Sequence, residues 1–408
     1  MLSYNKLLLK DVQFEGKRVL VRVDFNVPIK NGEIGDDTRI RSALPSIQWI
    51  SDRGGRIVLV SHLGRPDGEN KPEFSLEPVA RHLADLLDKP VRFINERIGN
   101  AAHEAVMTIK NGEVALLENI RFYPEEELLN KYVKQDAATK ERIDTFVKNL
   151  ASLGEIYVND AFGTAHRAHA STAGVTKYFT QNLCGLLMEK ELHYLGGVLE
   201  NPTRPFIAIL GGAKVSDKIG VIQSLLSKVD TLIIGGAMAY TFLKAQGKEI
   251  GTSLVENEHI ELAKSLLKQA KERSIEILLP IDHGVAKAFS AEVPSAYVHE
   301  IPADSMALDI GPESIALFRS RLVNAKTVIW NGPMGVFEKP GFAKGTFAIA
   351  ETLAALDATT IVGGGDSVAA INQSGVADKI THISTGGGAS LELLEGKELP
   401  GVAALTNR

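Results

Sequence analysis

Residues 205–214 read PFIAILGGAK, an unbroken apolar run that ends in two glycines, an alanine and a lysine. The run shows no alternation of apolar and polar residues, which is typical of a strand buried on both faces of a parallel sheet. A helical pattern over residues 218–227 follows the glycines. A strand, a glycine turn and a helix in this order indicate a βαβ unit.

The same order recurs along the whole chain, with further helices predicted over residues 41–53, 76–87 and 259–273. We therefore predict an α/β fold with two Rossmann-like three-layer domains, each built on a parallel sheet, joined by a hinge helix. The apolar runs that carry this prediction are residues 18–23, 56–60, 91–94, 114–117 and 156–158 in the first half, and 205–210, 231–234, 275–279, 327–330, 359–362 and 382–384 in the second.

The boundary between the halves is expected near residues 180–202, where a helical stretch over 186–194 precedes Gly196-Gly197 and Asn201-Pro202. This predicts a first domain over residues 1–185 and an interdomain helix over 186–202. A second domain is predicted over residues 203–390. The charged segment 130–150 is interpreted as a solvated surface helix or an insertion.

Composition narrows the function classes. The 408 residues carry 45 basic and 50 acidic side chains, a net charge of −5, which disfavours a broad nucleic-acid or anionic-lipid surface. No run of 18 apolar residues occurs, and residues 1–13 lack the apolar core of a signal peptide. The single cysteine, Cys184, excludes a disulfide within the chain. We expect a cytoplasmic protein.

Four predicted strands of the second half run into glycine-rich turns at Gly211, Gly235, Gly363 and Gly386. Because the carboxyl ends of parallel strands share one edge, these turns are expected to form one ligand site. Glycine lets a backbone approach a ligand closely, and the helix N-termini that follow attract anions. A nucleotide is the favoured ligand, although neither GxxxxGK[ST] nor GxGxxG occurs in the chain.

Charged side chains near these turns have two interpretations each. Asp366 either serves Mg²⁺ or caps a helix. Lys214 and Lys218, spaced i and i+4, either share a helix face that points at phosphates or are exposed surface lysines. Glu338 follows a predicted strand and offers a carboxylate that can accept hydrogen bonds from ribose hydroxyls.

The corresponding edge of the first half is rich in cations. Arginine presents a planar fork that matches phosphate and carboxylate, so four arginines at one edge indicate a strongly anionic ligand. Asp24 among them either accepts a hydrogen bond from a substrate hydroxyl, as in a sugar acid or polyol phosphate, or pairs with an arginine. Asn26 can donate or accept in the same way. The cations are Arg39, Arg65, Arg121 and Arg167, with His62, His166 and His169 nearby.

One domain for a small polyanion and one for a nucleotide suit a transferase that closes to exclude water. Phosphoryl transfer needs positioning, Mg²⁺ and cations more than covalent help. Two rivals remain: an oxidoreductase, which the missing GxGxxG disfavours, and a nucleotide-responsive binding protein without catalysis.

The motifs resemble those of the phosphoglycerate kinase family, in the family's order and over nearly the whole chain. The stretches that carry the resemblance are VRVDFNVP at 21–28, SHLGRP at 61–66, ENIRF at 118–122, DAFGTAHR at 160–167, GGAKVSDK at 211–218, LDIGP at 308–312, WNGP at 330–333, GVFE at 335–338, GGGDS at 363–367 and STGGG at 384–388. Ser367 stands where the family often has threonine, a change that keeps the hydroxyl.

The resemblance implies reversible, Mg-dependent phosphoryl transfer from 1,3-bisphosphoglycerate to ADP, giving 3-phosphoglycerate and ATP, in glycolysis and gluconeogenesis. It further implies direct in-line transfer after hinge closure, a monomer without nucleic-acid or membrane partners, and a tail over residues 391–408 that packs back on the first domain. By motif match, phosphoglycerate would be held by Asp24, Phe25, Asn26, Arg39, His62, Leu63, Gly64, Arg65, Arg121 and Arg167. Nucleotide would contact Lys218, Gly311, Glu338, Gly364, Gly365, Asp366 and Ser367, with Asp366 serving Mg²⁺, and Arg39, Lys214 and Gly387 would act in catalysis.

Overall fold

The computed structural model describes residues 5–96 and 98–408, which form two compact units. The first unit runs to His193 and also contains Glu398–Arg408, and the second is Tyr194–Lys397. Residues 391–397, which the resemblance assigned to the tail, thus belong to the second unit. In the described part of the chain, no helix is both long enough and apolar enough to cross a membrane.

A six-stranded parallel sheet forms the centre of the first unit. The predicted runs at 18–23, 56–60, 91–94, 114–117 and 156–158 are all strands, and Asn182–Cys184 adds one that the sequence analysis did not predict. The strands are β1 (Arg18–Arg22), β2 (Ile29–Lys30), β3 (Glu33–Ile34), β4 (Arg56–Val60), β5 (Val91–Ile94), β6 (Val114–Leu117), β7 (Ile156–Asn159) and β8 (Asn182–Cys184). The sheet order is β5-β6-β4-β1-β7-β8, while β2 and β3 form a separate hairpin.

Helices follow most of these strands, and the apolar runs of the strands are buried along nearly their whole length. The predicted helices at 41–53 and 76–87 are confirmed with small shifts of their ends. The α-helices are α1 (Thr38–Asp52), α2 (Glu77–Leu87), α3 (Asn100–Met107), α4 (Glu125–Leu128), α5 (Ala137–Ala151) and α6 (Leu186–Glu191). Short 3₁₀ helices lie at Leu9–Asp11, Pro72–Phe74, Ile120–Phe122, Leu129–Lys134, Phe162–Thr164 and Gly174–Tyr178.

Most of the charged segment 130–150 forms a surface helix, one of the two forms that the sequence analysis allowed. Its main element, α5, starts at Asp136, whose side chain accepts a hydrogen bond from the backbone of Thr139. One face buries Phe146, Val147 and Leu150. The charges therefore occupy only the outer face of an amphipathic helix.

A second six-stranded parallel sheet forms the centre of the second unit, and all six runs predicted there are strands of it. A three-stranded antiparallel sheet accompanies it, which the sequence analysis missed. The strands are β9 (Phe206–Leu210), β10 (Thr231–Ile234), β11 (Glu276–Leu278), β12 (His283–Ala286), β13 (Ala296–Val298), β14 (Met306–Ile310), β15 (Thr327–Asn331), β16 (Thr359–Gly363) and β17 (His382–Ile383). The parallel order is β11-β10-β9-β15-β16-β17 and the antiparallel order is β13-β12-β14.

Helices in the second unit again follow the strands, and a π-helical turn at Leu192–Gly196 continues α6 across the boundary between the units. The α-helices are α7 (Gly197–Glu200), α8 (Ile219–Leu225), α9 (Met238–Ala245), α10 (Ile260–Glu272), α11 (Pro312–Leu322), α12 (Lys344–Ala354), α13 (Gly365–Ser374) and α14 (Gly388–Leu394). Short 3₁₀ helices lie at Ser216–Lys218, Asn257–His259, Pro340–Phe342 and Ala377–Lys379.

The C-terminal segment of the first unit, with α15 (Pro400–Ala403), packs beneath the loop that follows β7. The backbone N–H of Gly401 donates to Ala165 O at 2.8 Å, and Asn159 Nδ2 donates to Gly401 O at 3.2 Å. A side chain at Gly401 would press against the backbone of Ala165. The segment therefore helps to position the loop that carries His166.

Candidate functional site

Four neighbouring strands of the first unit deliver polar side chains to one edge of the sheet. Since β6, β4, β1 and β7 are parallel and adjacent, their carboxyl ends meet there. These ends lead to Asp24, His62, Arg121 and the loop 160–169. The sequence prediction that these residues share an edge is thus met by the sheet order.

Asp24 is the acidic centre of this edge. Its side chain is only 8% exposed, and its Oδ2 lies 2.8 Å from Nη1 of Arg39, in the first turn of α1. His62 Nδ1 lies 3.9 Å from Asp24 Oδ1. Of the two interpretations of Asp24, the pairing with an arginine is present in this structure.

Arg22 is a member of the cluster that the sequence analysis missed. It lies in β1 and is almost fully buried. Its Nε donates to Ser171 Oγ at 2.7 Å, and its Nη2 lies 3.3 Å from His62 Nδ1. The available signal was a cation inside the apolar run 18–23, since arginine is rarely buried without partners.

Arg121 brings to the edge a guanidinium whose Nη2 has no hydrogen-bond partner among the described residues. Its Nη1 donates to Gly64 O at 2.7 Å, and its Nε lies 2.9 Å from Oε1 of Glu127. Because an unsatisfied buried polar group is costly, the buried Nη2 is suited to an anionic ligand.

The other residues between β1 and Gly64 use their polar groups to build the edge. Gly64 N donates to Asn26 Oδ1 at 2.9 Å, so the Asn26 amide holds the loop after β4. Phe25 and Leu63 are buried, and their backbone N–H groups donate to Ser61 Oγ and Asn119 Oδ1. Both residues therefore lie in the buried layer that supports the site.

Burial and neighbouring cations keep the three histidines neutral. Burial, followed by the positive charges of Arg22 and Arg121, holds the pKa of His62 well below its usual range. Burial lowers the pKa of His166 to about 4 and that of His169 to about 3, with nearby arginines adding to both shifts. The positive charge of the cluster is thus carried by arginines.

Two predicted arginines differ in their placement. Arg167 is partly buried, its Nε donates to His166 Nε2 at 3.2 Å, and its charge acts on His169. Arg65 is exposed and makes no ion pair within residues 5–96 and 98–408. The structure brings Arg39, Arg121 and Arg167 together and leaves Arg65 outside their contacts. Such a set of forked cations around one carboxylate can bind a small phosphorylated acid that also carries a hydroxyl.

The second unit carries a cavity of about 700 Å³ at the carboxyl edge of its sheet. A cavity of this size accommodates a nucleotide-sized ligand. The wall is apolar over most of its area, with the charged side chains Glu338, Lys339 and Asp366. Glycines 212, 236 and 335 and the apolar side chains of Leu254, Phe289 and Met334 also line it.

Many of the glycines predicted to approach a ligand instead let the loops pack on one another. A side chain at Gly235 would collide with Met334, and one at Gly236 would lie within 2.6 Å of the Gly212 backbone. In contrast, a Cβ at Gly365 or Gly387 would meet nothing within 4 Å. Of these four glycines, Gly365 and Gly387 are the two with open space beside their backbone.

Lys214 and Lys218 do not share a helix face, contrary to the sequence expectation. Lys214 is exposed in the loop before the 3₁₀ helix Ser216–Lys218, and α8 starts only at Ile219. Lys218 is buried, and its Nζ bonds to both the backbone and side-chain oxygens of Asn331. Burial lowers the pKa of Lys218 to about 8, although Asp217 and Asp366 oppose the shift.

The loop after β16 presents Asp366 at the start of α13. Asp366 is exposed and lines the cavity, and it forms no ion pair within the described residues. Ser367 is fully buried, and its Oγ accepts a hydrogen bond from Gly332 N at 2.5 Å. Gly364 has φ +93°, and a Cβ there would approach the Asn331 amide to 2.9 Å. Ser367 and Gly364 thus fix the loop that carries Asp366.

The remaining predicted residues fall in different places. Glu338 is exposed at the cavity wall. Gly311 precedes α11 and is not among the residues that line the cavity, and a side chain there would collide with the Asp282 carboxylate. Gly387 precedes α14 with φ +51° and open space around it.

Comparison with known proteins gives one family. The family model described as phosphoglycerate kinase matches residues 9–397. The phosphoglycerate kinase of Clostridium botulinum is 54% identical over 409 residues, covering all of both chains. That of Koribacter versatilis is 56% identical over 415 residues, covering 99% of this chain and all of the relative.

Solved structures agree. The phosphoglycerate kinase of Coxiella burnetii is 40% identical with a TM-score of 0.87, and 98% of each chain is covered. That of Pyrococcus horikoshii is 35% identical with a TM-score of 0.79 at the same coverage.

Proposed function

The chain belongs to the phosphoglycerate kinase family and is therefore a kinase, and from this premise we propose its reaction. The proposed reaction is the reversible transfer of a phosphoryl group from 1,3-bisphosphoglycerate to ADP, which gives 3-phosphoglycerate and ATP. The observation that carries it is the buried cation cluster around Asp24, which has the chemistry to bind a phosphorylated hydroxy acid. The enzyme would serve glycolysis and gluconeogenesis in the cytoplasm as a monomer.

Phosphoglycerate binds at the edge of the first unit. Arg121 supplies its unpartnered Nη2, and Arg167 and Arg65 add forked donors for the phosphate. Asp24 and Asn26 recognise the hydroxyl and carboxyl end, with Asp24 exchanging part of its contact with Arg39 for the substrate hydroxyl. His62 is neutral, so it contributes a hydrogen bond and no charge.

The nucleotide binds in the cavity of the second unit. Its base lies against the apolar wall, and Glu338 accepts hydrogen bonds from the ribose. The phosphates approach the open backbone at Gly365 and the N-terminus of α13, where N–H groups and the helix dipole favour anions. Lys218 supplies a positive charge from beneath, and Gly364 and Ser367 hold the loop.

Mg²⁺ is implied by the family, and the residues fit it. Asp366 is an exposed carboxylate on the cavity wall without an ion-pair partner among the described residues. A hard cation of this kind takes one or two carboxylates together with phosphate oxygens. When bound there, Mg²⁺ would neutralise charge on the phosphates.

Transfer proceeds in line between the two substrates after hinge closure, with water excluded. Arg39 and Lys214 stabilise the negative charge on the transferring group with their positive charges. Both side chains have exposed surface and neither is held in the core, so both can reach a ligand. The backbone N–H at Gly387 adds a donor next to α14. Each of these roles is a proposal about groups that contact the reacting atoms.

A coupled assay of ATP consumption tests the proposal. Turnover should require both 3-phosphoglycerate and Mg²⁺, and EDTA should abolish it. A folded protein that binds ATP but shows no turnover with 3-phosphoglycerate would support the non-catalytic alternative. Turnover with another phosphorylated sugar acid in its place would change the assigned acceptor.

A further inference from the structure

In each unit, one glutamate carboxylate accepts two hydrogen bonds from a single serine. Ser171 donates its backbone N–H to Glu126 Oε2 at 2.8 Å and its hydroxyl to Oε1 at 2.6 Å. Ser216 does the same to Glu256, at 3.1 Å and 2.6 Å. We call these two pairs the glutamate–serine clamps. Hydrogen bonds to an ionised carboxylate are about twice as strong as neutral ones, so each clamp fixes the loop that carries its serine.

The clamp of the first unit lies directly beneath the arginine–histidine cluster. Glu126 is completely buried in α4, and its backbone oxygen also accepts a hydrogen bond from Ala170 N at 3.0 Å. The Ser171 hydroxyl that donates to Glu126 accepts in turn from Arg22 Nε at 2.7 Å. His169 Nδ1 lies 3.7 Å from Glu126 Oε1. One carboxylate therefore orients Arg22 and the loop 167–171 together.

Burying the charge of Glu126 costs free energy, which indicates that the carboxylate has a role at this position. Burial raises the pKa of Glu126, while Arg22 and the hydrogen bonds from Ser171 oppose the shift. A buried carboxylate persists only where cations and donors surround it. Here those partners are Ser171, Arg22 and Arg121, and of these Arg121 is proposed to hold phosphoglycerate while Arg22 contacts His62 beside it.

The clamp of the second unit fixes the loop between its two lysines. Ser216 starts the 3₁₀ helix Ser216–Lys218, so it lies between Lys214 and Lys218 in the chain. The backbone N–H of Glu256 donates to Thr241 Oγ1 at 3.1 Å, which ties the clamp to the buried face of α9. Burial acts to raise the pKa of Glu256, but the hydrogen bonds from Ser216 outweigh it and leave the pKa lowered.

We propose that Glu126 and Glu256 are positioning residues, each dedicated to one substrate. Glu126 would orient the cations that bind phosphoglycerate, and Glu256 would orient the lysine loop that faces the nucleotide phosphates. The proposal rests on the proposed function for the identity of the substrates. It predicts that a change in one clamp weakens the binding of one substrate and not of the other, because each clamp lies within a different unit. General damage to the fold would not separate the two substrates in this way.

The test compares Glu126→Gln with Glu256→Gln in the full-length protein. Each change removes the charge with little change of shape. Glu126→Gln should raise the KM and the dissociation constant for 3-phosphoglycerate about tenfold and leave those for ATP within about twofold. Glu256→Gln should do the reverse. The isothermal titration of each variant with ADP and with 3-phosphoglycerate reports binding without turnover.

Neighbouring glutamates provide matched controls. Glu125 precedes Glu126 in α4 but pairs with Arg142 at 2.6 Å, and Glu258 is exposed near Glu256. Glu125→Gln and Glu258→Gln should leave the constants of both substrates unchanged. If a clamp glutamate variant fails to fold, Ser171→Ala and Ser216→Ala remove the hydroxyl hydrogen bond of each clamp and keep the backbone one. Ser171→Thr and Ser216→Thr should then restore the constants by restoring the hydroxyl.

Two results would overturn the proposal: equal changes in the constants of both substrates, or no change in either. Wild-type protein without activity on 3-phosphoglycerate would instead refute the proposed function, and the first-unit half of the proposal with it. ADP binding to Glu256→Gln would still decide the second-unit half, because that measurement needs no acceptor substrate.

Discussion

Arg39 Nη1 and Asp24 Oδ2 lie 2.8 Å apart, joining the first turn of α1 to the end of β1. The Arg39 side chain is 34% exposed, whereas the Asp24 side chain is nearly buried. Arg39 is therefore held at one end and open at the other. A group in this state can turn toward charge that develops during a reaction without first leaving the protein core.

Arg39→Ala should lower kcat by about a hundredfold or more and weaken 3-phosphoglycerate binding by less than about tenfold. The loss of kcat should exceed the loss of affinity because a cation that stabilises the transferring group acts mainly in the transition state. Steady-state kinetics and calorimetry with 3-phosphoglycerate measure the two effects. Arg41→Ala is the control, since Arg41 lies on the same helix but pairs with the outer carboxylate Asp37. An unchanged kcat in Arg39→Ala would remove Arg39 from the transition state.

All strands of the parallel sheets except β8 were predictable, because each of them contains a local apolar run. The antiparallel sheet was not predicted, because β12 pairs with β14 through an irregular register between Gly284 and Val285. No run of local sequence specifies that pairing. Periodicity therefore finds the buried central strands and misses strands whose stability comes from distant partners.

In the candidate site, too, local sequence predicted some features and missed those that depend on distant contacts. Arginines on loops were found by their position after strands, but Arg22 was missed because its partner Ser171 lies 149 residues away. The spacing of Lys214 and Lys218 suggested one helix face. The helix begins later, since the Glu256 carboxylate binds Ser216 and holds the preceding turn outside α8. Local spacing does not report contacts of this kind.

ADP affinity should fall as the pH is raised above 8. Burial lowers the pKa of Lys218 to about 8, so its positive charge is lost through this range in the ligand-free protein. At about one pH unit above that pKa, affinity should be roughly tenfold weaker. Calorimetric titration with ADP between about pH 7 and pH 9.5 measures it. The variant Lys218→Met should bind weakly with a flat profile, and a wild-type slope in that variant would assign the effect to another group.

The histidines of the proposed phosphoglycerate site should not titrate near neutral pH. Their pKa values lie well below the ordinary value, for His62 by burial and the charges of Arg22 and Arg121, and at about 4 for His166 and about 3 for His169. Imidazole NMR signals of the free protein should therefore stay constant from about pH 5.5 to 8.5.

The same chain in concentrated urea supplies the reference, because all three histidines should then titrate near about pH 6.5. An inflection near neutral pH in the folded protein would show that burial and the arginine charges do not hold these rings neutral. Constant signals would mean that the charge of the site is set by arginine and is independent of pH in this range.

Gly364 and Gly365 are adjacent, but their substitution should have opposite consequences. Gly364 has φ +93° and lies against the Asn331 amide, so Gly364→Ala should lower the free energy of unfolding by about 1–3 kcal/mol. Gly365 has open space where a Cβ would be, and it begins α13. Gly365→Ala should leave the free energy of unfolding nearly unchanged and weaken ADP binding at least about tenfold, because the methyl group would occupy the approach of the phosphates to the backbone.

Gly375→Ala separates backbone strain from ligand approach. Gly375 ends the same helix with φ +73° and no atom within 4 Å of a Cβ, so its substitution is strained but lies at the opposite end of α13 from Gly365. It should lower the free energy of unfolding by about 1 kcal/mol and leave ADP affinity intact. Denaturant unfolding and ADP titration of the three variants give the comparison. ADP affinity equal to wild type in Gly365→Ala would place the phosphates elsewhere, because a ligand that reaches this backbone has no room for the added methyl group.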